Sequence, residues 1–99
     1  MIFDRELPGQ LGFTVSRLRS ARGLTQRELA ARSGSRQPRI SEIESGRVDI
    51  MLREIVAITS VLDVRISEFF ALADGRVDID LYCSRMLPFR LSGEPDARS

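Results

Sequence analysis

Histidine, lysine and tryptophan are missing from these 99 residues, and cysteine and tyrosine occur once each. Without histidine there is no imidazole base and no histidine zinc ligand. The single Cys83 forms neither an internal disulfide nor a thiolate cluster, and reads as a small apolar filler. Gly-rich phosphate loops and nucleophile elbows are also absent. The carboxylates fall on expected caps, outer faces and the tail, with no apolar pocket around any pair. No catalytic residue, metal or cofactor is therefore expected. No apolar stretch reaches the ~20 residues needed to span a bilayer. The opening Met1-Ile2-Phe3 followed by Asp4-Arg5-Glu6 is not a signal peptide, so a cytoplasmic protein without a membrane partner is expected.

What is abundant is arginine, and its placement is uneven. All fifteen basic residues are arginine, for a net charge of +1. Between Arg17 and Arg47 there are eight arginines against three glutamates, so this stretch carries +5 and the remainder −4. Such asymmetry is the footprint of a nucleic-acid module joined to a non-binding remainder.

Capping chemistry divides the same stretch into short helices. Thr25 can accept the Glu28 amide while the Glu28 carboxylate reaches back to the Thr25 amide, a capping box that starts a helix at Gln26. Gly23 ends the preceding helix and Gly34 the new one, since a left-handed residue costs little without a Cβ. After Gly34 a further short helix begins with Ser35 or Arg36 at its N-cap. Pro38 falls in its first turn, where a missing N–H breaks no bond, and Gly46 closes it.

Placing residues 100° apart turns Ile40 and Ile43 of this last helix inward. Pro38, Ser41, Glu42 and Ser45 take the opposite side, flanked by Gln37 and Arg39. Glutamine suits bidentate contact with adenine, serine either partner, glutamate the cytosine amino group and the proline ring a thymine methyl. Two short helices, a tight turn and this polar face predict a module that reads the DNA major groove.

Residues Leu11 to Phe70 resemble the Cro/C1-type (Xre, phage repressor-like) helix-turn-helix family. The segments that carry the resemblance are Leu18–Gln26, Glu28–Ala30, Ser33-Gly34, Ile40–Gly46 and Leu62–Phe70. It implies an all-α, five-helix lambda-repressor-like domain that binds operators as a dimer. It also implies that Gln26 contacts a phosphate, Gln37 a base and Arg47 a phosphate. Ser35 stands where the family usually has an aliphatic residue, Ile50-Met51 where it has Pro-Ser, and Glu42 where Arg, Lys or Asn is usual. The candidate DNA-binding set is Gln26, Arg36, Gln37, Pro38, Arg39, Ser41, Glu42 and Arg47.

Arg19 and Glu44 fall toward the inward edges of their helices, which predicts a partly buried ion pair orienting the recognition helix; the resemblance implies the same pair. The expected core is Val15, Leu18, Leu24, Leu29, Ala30, Ile40, Ile43, Leu52, Ile55, Ile58, Leu62, Ile66 and Phe69. A fourth helix, from Ile50 or Met51 to Leu62 and capped by Asp49, presents Leu52, Ile55, Val56, Ile58 and Leu62 to that core. It leaves Ile50, Ala57 and Val61 on a second stripe. That stripe is either a dimer interface or a seat for the C-terminal tail. A symmetric dimer would space two recognition helices ~34 Å apart over a palindromic site.

Beyond the turn signal Asp74-Gly75, Val77, Ile79 and Leu81 alternate with Asp78, Asp80 and Tyr82, which predicts a short C-terminal β-strand extension. Such a strand needs an edge in a dimer mate, in residues 85–91 folded back, or in another protein. Asp78 and Asp80 would form a solvated strand face rather than a cation site. The expected organisation is an arm over 1–10, the helix-turn-helix domain over 11–72, the strand-forming extension over 73–91 and a disordered tail over 92–99. Two functions fit: a dimeric transcriptional repressor on double-stranded DNA, or an antitoxin that neutralises a protein toxin and autoregulates its operon.

Overall fold

Six α-helices organise residues 6–89, the part of the chain that a computed structural model describes: α1 (Leu7–Ala21), α2 (Gln26–Ser33), α3 (Gln37–Glu44), α4 (Leu52–Leu62), α5 (Ile66–Ala73) and α6 (Ile79–Ser84). The expected tail over 92–99 and the first five residues of the expected arm lie outside the described residues. The rest of that arm is helical, because Pro8 sits in the opening turn of α1 and loses no bond there.

α1 is the hub, packed against α3, α5 and α6, while α2 lies on α3 and α4. Leu11, Val15 and Leu18 of α1 meet Leu24, Leu29, Ile40, Ile43, Ile55, Ile58, Leu62 and Phe69 in one buried cluster. Gly12 lets α1 approach α3 closely, since a Cβ there would overlap the Ile43 carbonyl oxygen.

Short-range chemistry sets the helix ends around the turn. Thr25 Oγ1 accepts from the Glu28 amide at 3.0 Å and Glu28 Oε1 from the Thr25 amide at 2.8 Å. Gly34 ends α2 in the left-handed region at φ 74°. Of the two candidate N-caps for α3, Arg36 takes the position, with Gln37 and Pro38 next.

Three expectations fail. The strand is absent among the described residues; its place is taken by α6, capped by Asp78, whose carboxylate accepts from the amides of Asp80 and Leu81. The alternation through Val77, Ile79 and Leu81 competes with a helical period through Ile79, Tyr82, Cys83 and Met86, all packed against the core. The helical period wins because α1 supplies a surface for it, whereas a strand here has no described edge to join. Asp80 then pairs with Arg17 at 2.7 Å.

Leu52 and Ile66 are not core residues but 70% and 42% exposed. Each is the first residue of its helix, α4 or α5. A helical side chain leans back toward the N-terminus, and from the first position it leans past the end of the packed surface.

The cap of α4 is Met51, not Asp49. Its amide is held by Glu54 Oε1 at 2.8 Å, and the Asp49 carbonyl accepts from Arg39 Nη2 instead. Within α4, Thr59 joins Ile55, Ile58 and Leu62 on the buried side, and Val56, expected to face the core, is 44% exposed.

Candidate nucleic-acid interface

α3 buries only Ile40 and Ile43, so the rest of its short circumference faces outward or sits at the seam with its neighbours. Arg36, Pro38, Glu42, Ser45 and Arg47 are exposed, and Gln37, Arg39 and Ser41 half-buried. The side expected to meet DNA is therefore open among the described residues.

A chain of hydrogen bonds ties that side to the core. Arg19 Nε donates to Glu44 Oε2 at 2.7 Å and Arg19 Nη2 to Glu44 Oε1 at 3.0 Å, a bidentate pair between α1 and α3. Arg19 Nη1 also donates to the Leu24 carbonyl at 2.8 Å, fixing the α1–α2 turn. Gln26 Nε2 donates to Glu44 Oε1 at 3.0 Å, and Gln37 Nε2 to Gln26 Oε1 at 2.8 Å. Glu44 is 6% exposed at its side chain and Arg19 16%, so solvent screens the pair little. The first side chains of α2 and α3 are thus aimed by a network whose far end is buried.

Arg39 and Arg47 receive different surroundings. Arg39 makes a bidentate pair with Glu54 of α4, Nε to Oε2 at 2.8 Å and Nη2 to Oε1 at 2.8 Å. The guanidinium beside Glu54 holds its carboxyl below the ordinary carboxylate range. Arg39 thereby clamps α3 to α4 at the edge of the surface. Arg47 has no such partner among the described residues and is exposed.

Of the eight arginines between positions 17 and 47, four are engaged. Arg17 pairs with Asp80, Arg19 with Glu44 and Arg39 with Glu54, while Arg22 donates to the carbonyls of Leu62 and Leu87. The other four, Arg27, Arg32, Arg36 and Arg47, are exposed and make no side-chain hydrogen bond or ion pair among the described residues. They lie on α2, at the N-cap of α3 and just after α3; Arg27 shares a surface depression with Gln26 and Gln37, whereas Arg32 is turned about 140° from Arg27 around α2. Uncompensated guanidinium groups around an exposed polar face fit a polyanion.

Arg27 and Arg32 were not in the candidate set, although the sequence held the signal. No residue three or four positions from Arg27 is acidic. Glu28, four before Arg32, is committed to the Thr25 amide. The proposed dimer residues Ile50, Ala57 and Val61 are half-buried, and Ile50 and Val61 pack on the core. The exposed apolar residues of α4 are Leu52 and Val56, followed on α5 by Ile66 and Phe70.

A family model described as helix-turn-helix matches residues 15–69. The chain belongs to the Cro/C1-type helix-turn-helix family of DNA-binding regulators. Two crystal structures of the clp gene regulator ClgR from Corynebacterium glutamicum are similar to it. One is 25% identical with a TM-score of 0.68, over 80% of this chain and 82% of that one. The other is 27% identical with a TM-score of 0.67, over 72% of this chain and 92% of that one. A search of curated proteins found no match. Among the described residues no helix is long and apolar enough to cross a membrane.

Proposed function

We propose that this chain is a sequence-specific, non-catalytic transcriptional repressor that binds palindromic DNA as a dimer, with α3 in the major groove. The observation that carries the reading is the exposed polar side of α3, with Arg36 at its N-cap, Arg47 just after it and Arg27 beside Gln26 and Gln37, all three unpaired among the described residues. Its likeness to ClgR, a clp gene regulator, supports a regulatory use of that surface.

Gln37, held by Gln26, reads a base in this account, with Ser41, Glu42 and Pro38 beside it. Gln26, Arg36 and Arg47, together with Arg27, take phosphates. Arg39 orients α3 through Glu54 rather than touching a phosphate. Glu42 accepts from a cytosine amino group, the arrangement in which a carboxylate on this surface is favourable. The two-fold contact is assigned to Leu52 and Val56 with Ile66 and Phe70, which are exposed, rather than to the half-buried Ile50, Ala57 and Val61. The antitoxin alternative, in which the tail or the N-terminal arm captures a protein partner, would need a surface other than a strand edge, since residues 79–84 are helical.

Selection from a random duplex library, followed by fluorescence anisotropy on the selected site, tests the assignment. Gln37→Ala should relax preference at one base position by about 1–3 kcal/mol, while Arg47→Ala weakens all sequences alike and shallows the salt dependence. A uniform loss from both variants would contradict these roles. The dimer contact is checked by sedimentation equilibrium of Val56→Arg, which should be monomeric. A Val56→Arg dimer would move the interface elsewhere.

A further inference from the structure

A groove that DNA reading does not use is built mostly from residues after the segment matched by the helix-turn-helix family. It measures about 500 Å³ and runs between the end of α1, α6 and the segment after it, lined by Arg22, Val77, Asp78, Leu81, Tyr82, Arg85, Met86 and Leu87. Leu81 and Leu87 are 51% and 76% exposed, so the apolar wall is not covered by the described residues. The volume falls in the range of small-molecule sites, on the order of 300–1,000 Å³.

Two cations stand over this wall. Arg22 stacks on Phe89, 4.6 Å from the ring centroid, and donates only to the neutral carbonyls of Leu62, Asp63 and Leu87. Arg85 is exposed and makes no side-chain hydrogen bond among the described residues. Against these two guanidinium groups the lining holds one acid, Asp78, whose Oδ1 caps α6 by accepting from the amides of Asp80 and Leu81. The Tyr82 hydroxyl donates to Glu68 at 3.0 Å. Two guanidinium groups beside an open hydrocarbon surface complement a molecule with an apolar chain and one negative end.

We propose that this groove binds a medium-chain carboxylate, its hydrocarbon on Leu81, Met86 and Leu87 and its carboxylate on Arg85 beside Arg22. Because the chain has no tryptophan and Tyr82 is its only tyrosine, intrinsic emission reports this groove alone. The full-length protein is titrated with decanoate and, in parallel, with decanol, while sedimentation equilibrium follows its mass.

The expected result is a saturable change in Tyr82 emission with decanoate, and affinity at least ten-fold weaker for decanol. Arg85→Gln and Leu81→Asp should each weaken decanoate binding at least ten-fold with unchanged circular dichroism. Equal affinity for decanol, wild-type affinity in both variants, or no saturable change would overturn the proposal. So would a ligand-free dimer that Leu81→Asp splits, which would assign the groove to a second copy of the chain.

Discussion

Gly12 and Gly9 lie one turn apart on α1, and the account predicts opposite responses to the same substitution. A Cβ at Gly12 would overlap the Ile43 carbonyl oxygen and stand 3.1 Å from the Ile43 carbonyl carbon and 3.2 Å from that of Glu44. All three are backbone atoms of α3, so no side-chain rotation relieves the overlap. α1 and α3 must part by about 1 Å in a close-packed interior. Overpacking of this kind costs about 1–3 kcal/mol, against up to ~1 kcal/mol gained from replacing glycine by alanine inside a helix.

With the full helix gain subtracted, the net loss for Gly12→Ala is up to about 2 kcal/mol, or a Tm lower by up to roughly 16 °C in a domain of this size. A Cβ at Gly9 meets nothing within 4 Å, so Gly9→Ala should leave Tm unchanged or raise it slightly. Thermal unfolding followed by circular dichroism separates the two. The same displacement moves Glu44 away from Arg19, so Gly12→Ala should also lose DNA affinity. A Gly12→Ala protein as stable as Gly9→Ala would show that the α1–α3 contact is not close-packed.

Other expectations follow from the charge pairs and the base contact. Arg19→Met strands Glu44, and should cost less than the ~3–5 kcal/mol of a fully buried pair because Gln26 still donates to that carboxylate; unchanged Tm and unchanged DNA affinity would refute its orienting role. Folding lowers the Glu54 pKa, chiefly through the hydrogen bond from Arg39. Its contribution is therefore complete above the unfolded glutamate value of about 4.3 and disappears as pH falls through the folded value below that. Glu54→Gln should lower stability at neutral pH and flatten the acid limb of a Tm-against-pH curve, and an unchanged limb would refute the pairing. Gln26→Ala should alter sequence preference as well as affinity, because it releases Gln37; loss of affinity with preference intact would separate the two glutamines.

The helix-turn-helix itself was legible because its signals are local. A capping box, two left-handed glycines and a proline in a first turn each act within four residues of their own position, and Ile40 and Ile43 leave one choice of inward face. The end of the chain was not, since Ile79 to Met86 satisfies the strand and helix periods at once. Only the presence of α1, sixty residues earlier in the chain, decides between them. Leu52 failed for a related reason: α4 starts one or two residues later than expected, so Leu52 is its first residue and leans past the packed surface, as Ile66 does at the start of α5.

The division of labour among the arginines needed the fold as well. Sequence gives Arg39 and Arg47 equal standing, yet Glu54, fifteen residues from Arg39, is brought beside the first and not the second. Arg17 is likewise neutralised by Asp80 from α6, across 63 positions of chain. Position along the helix identified the polar face of α3, but only long-range pairing shows which cations border it unspent.

The most direct measurement is amide chemical-shift mapping of the labelled protein titrated with its selected duplex. Perturbations should concentrate at Gln26 and Arg27, from Arg36 through Ser45, and at Arg47, while α6 stays silent. Shifts confined to α5 and α6 with α3 unmoved would mean that the duplex is held by some other surface.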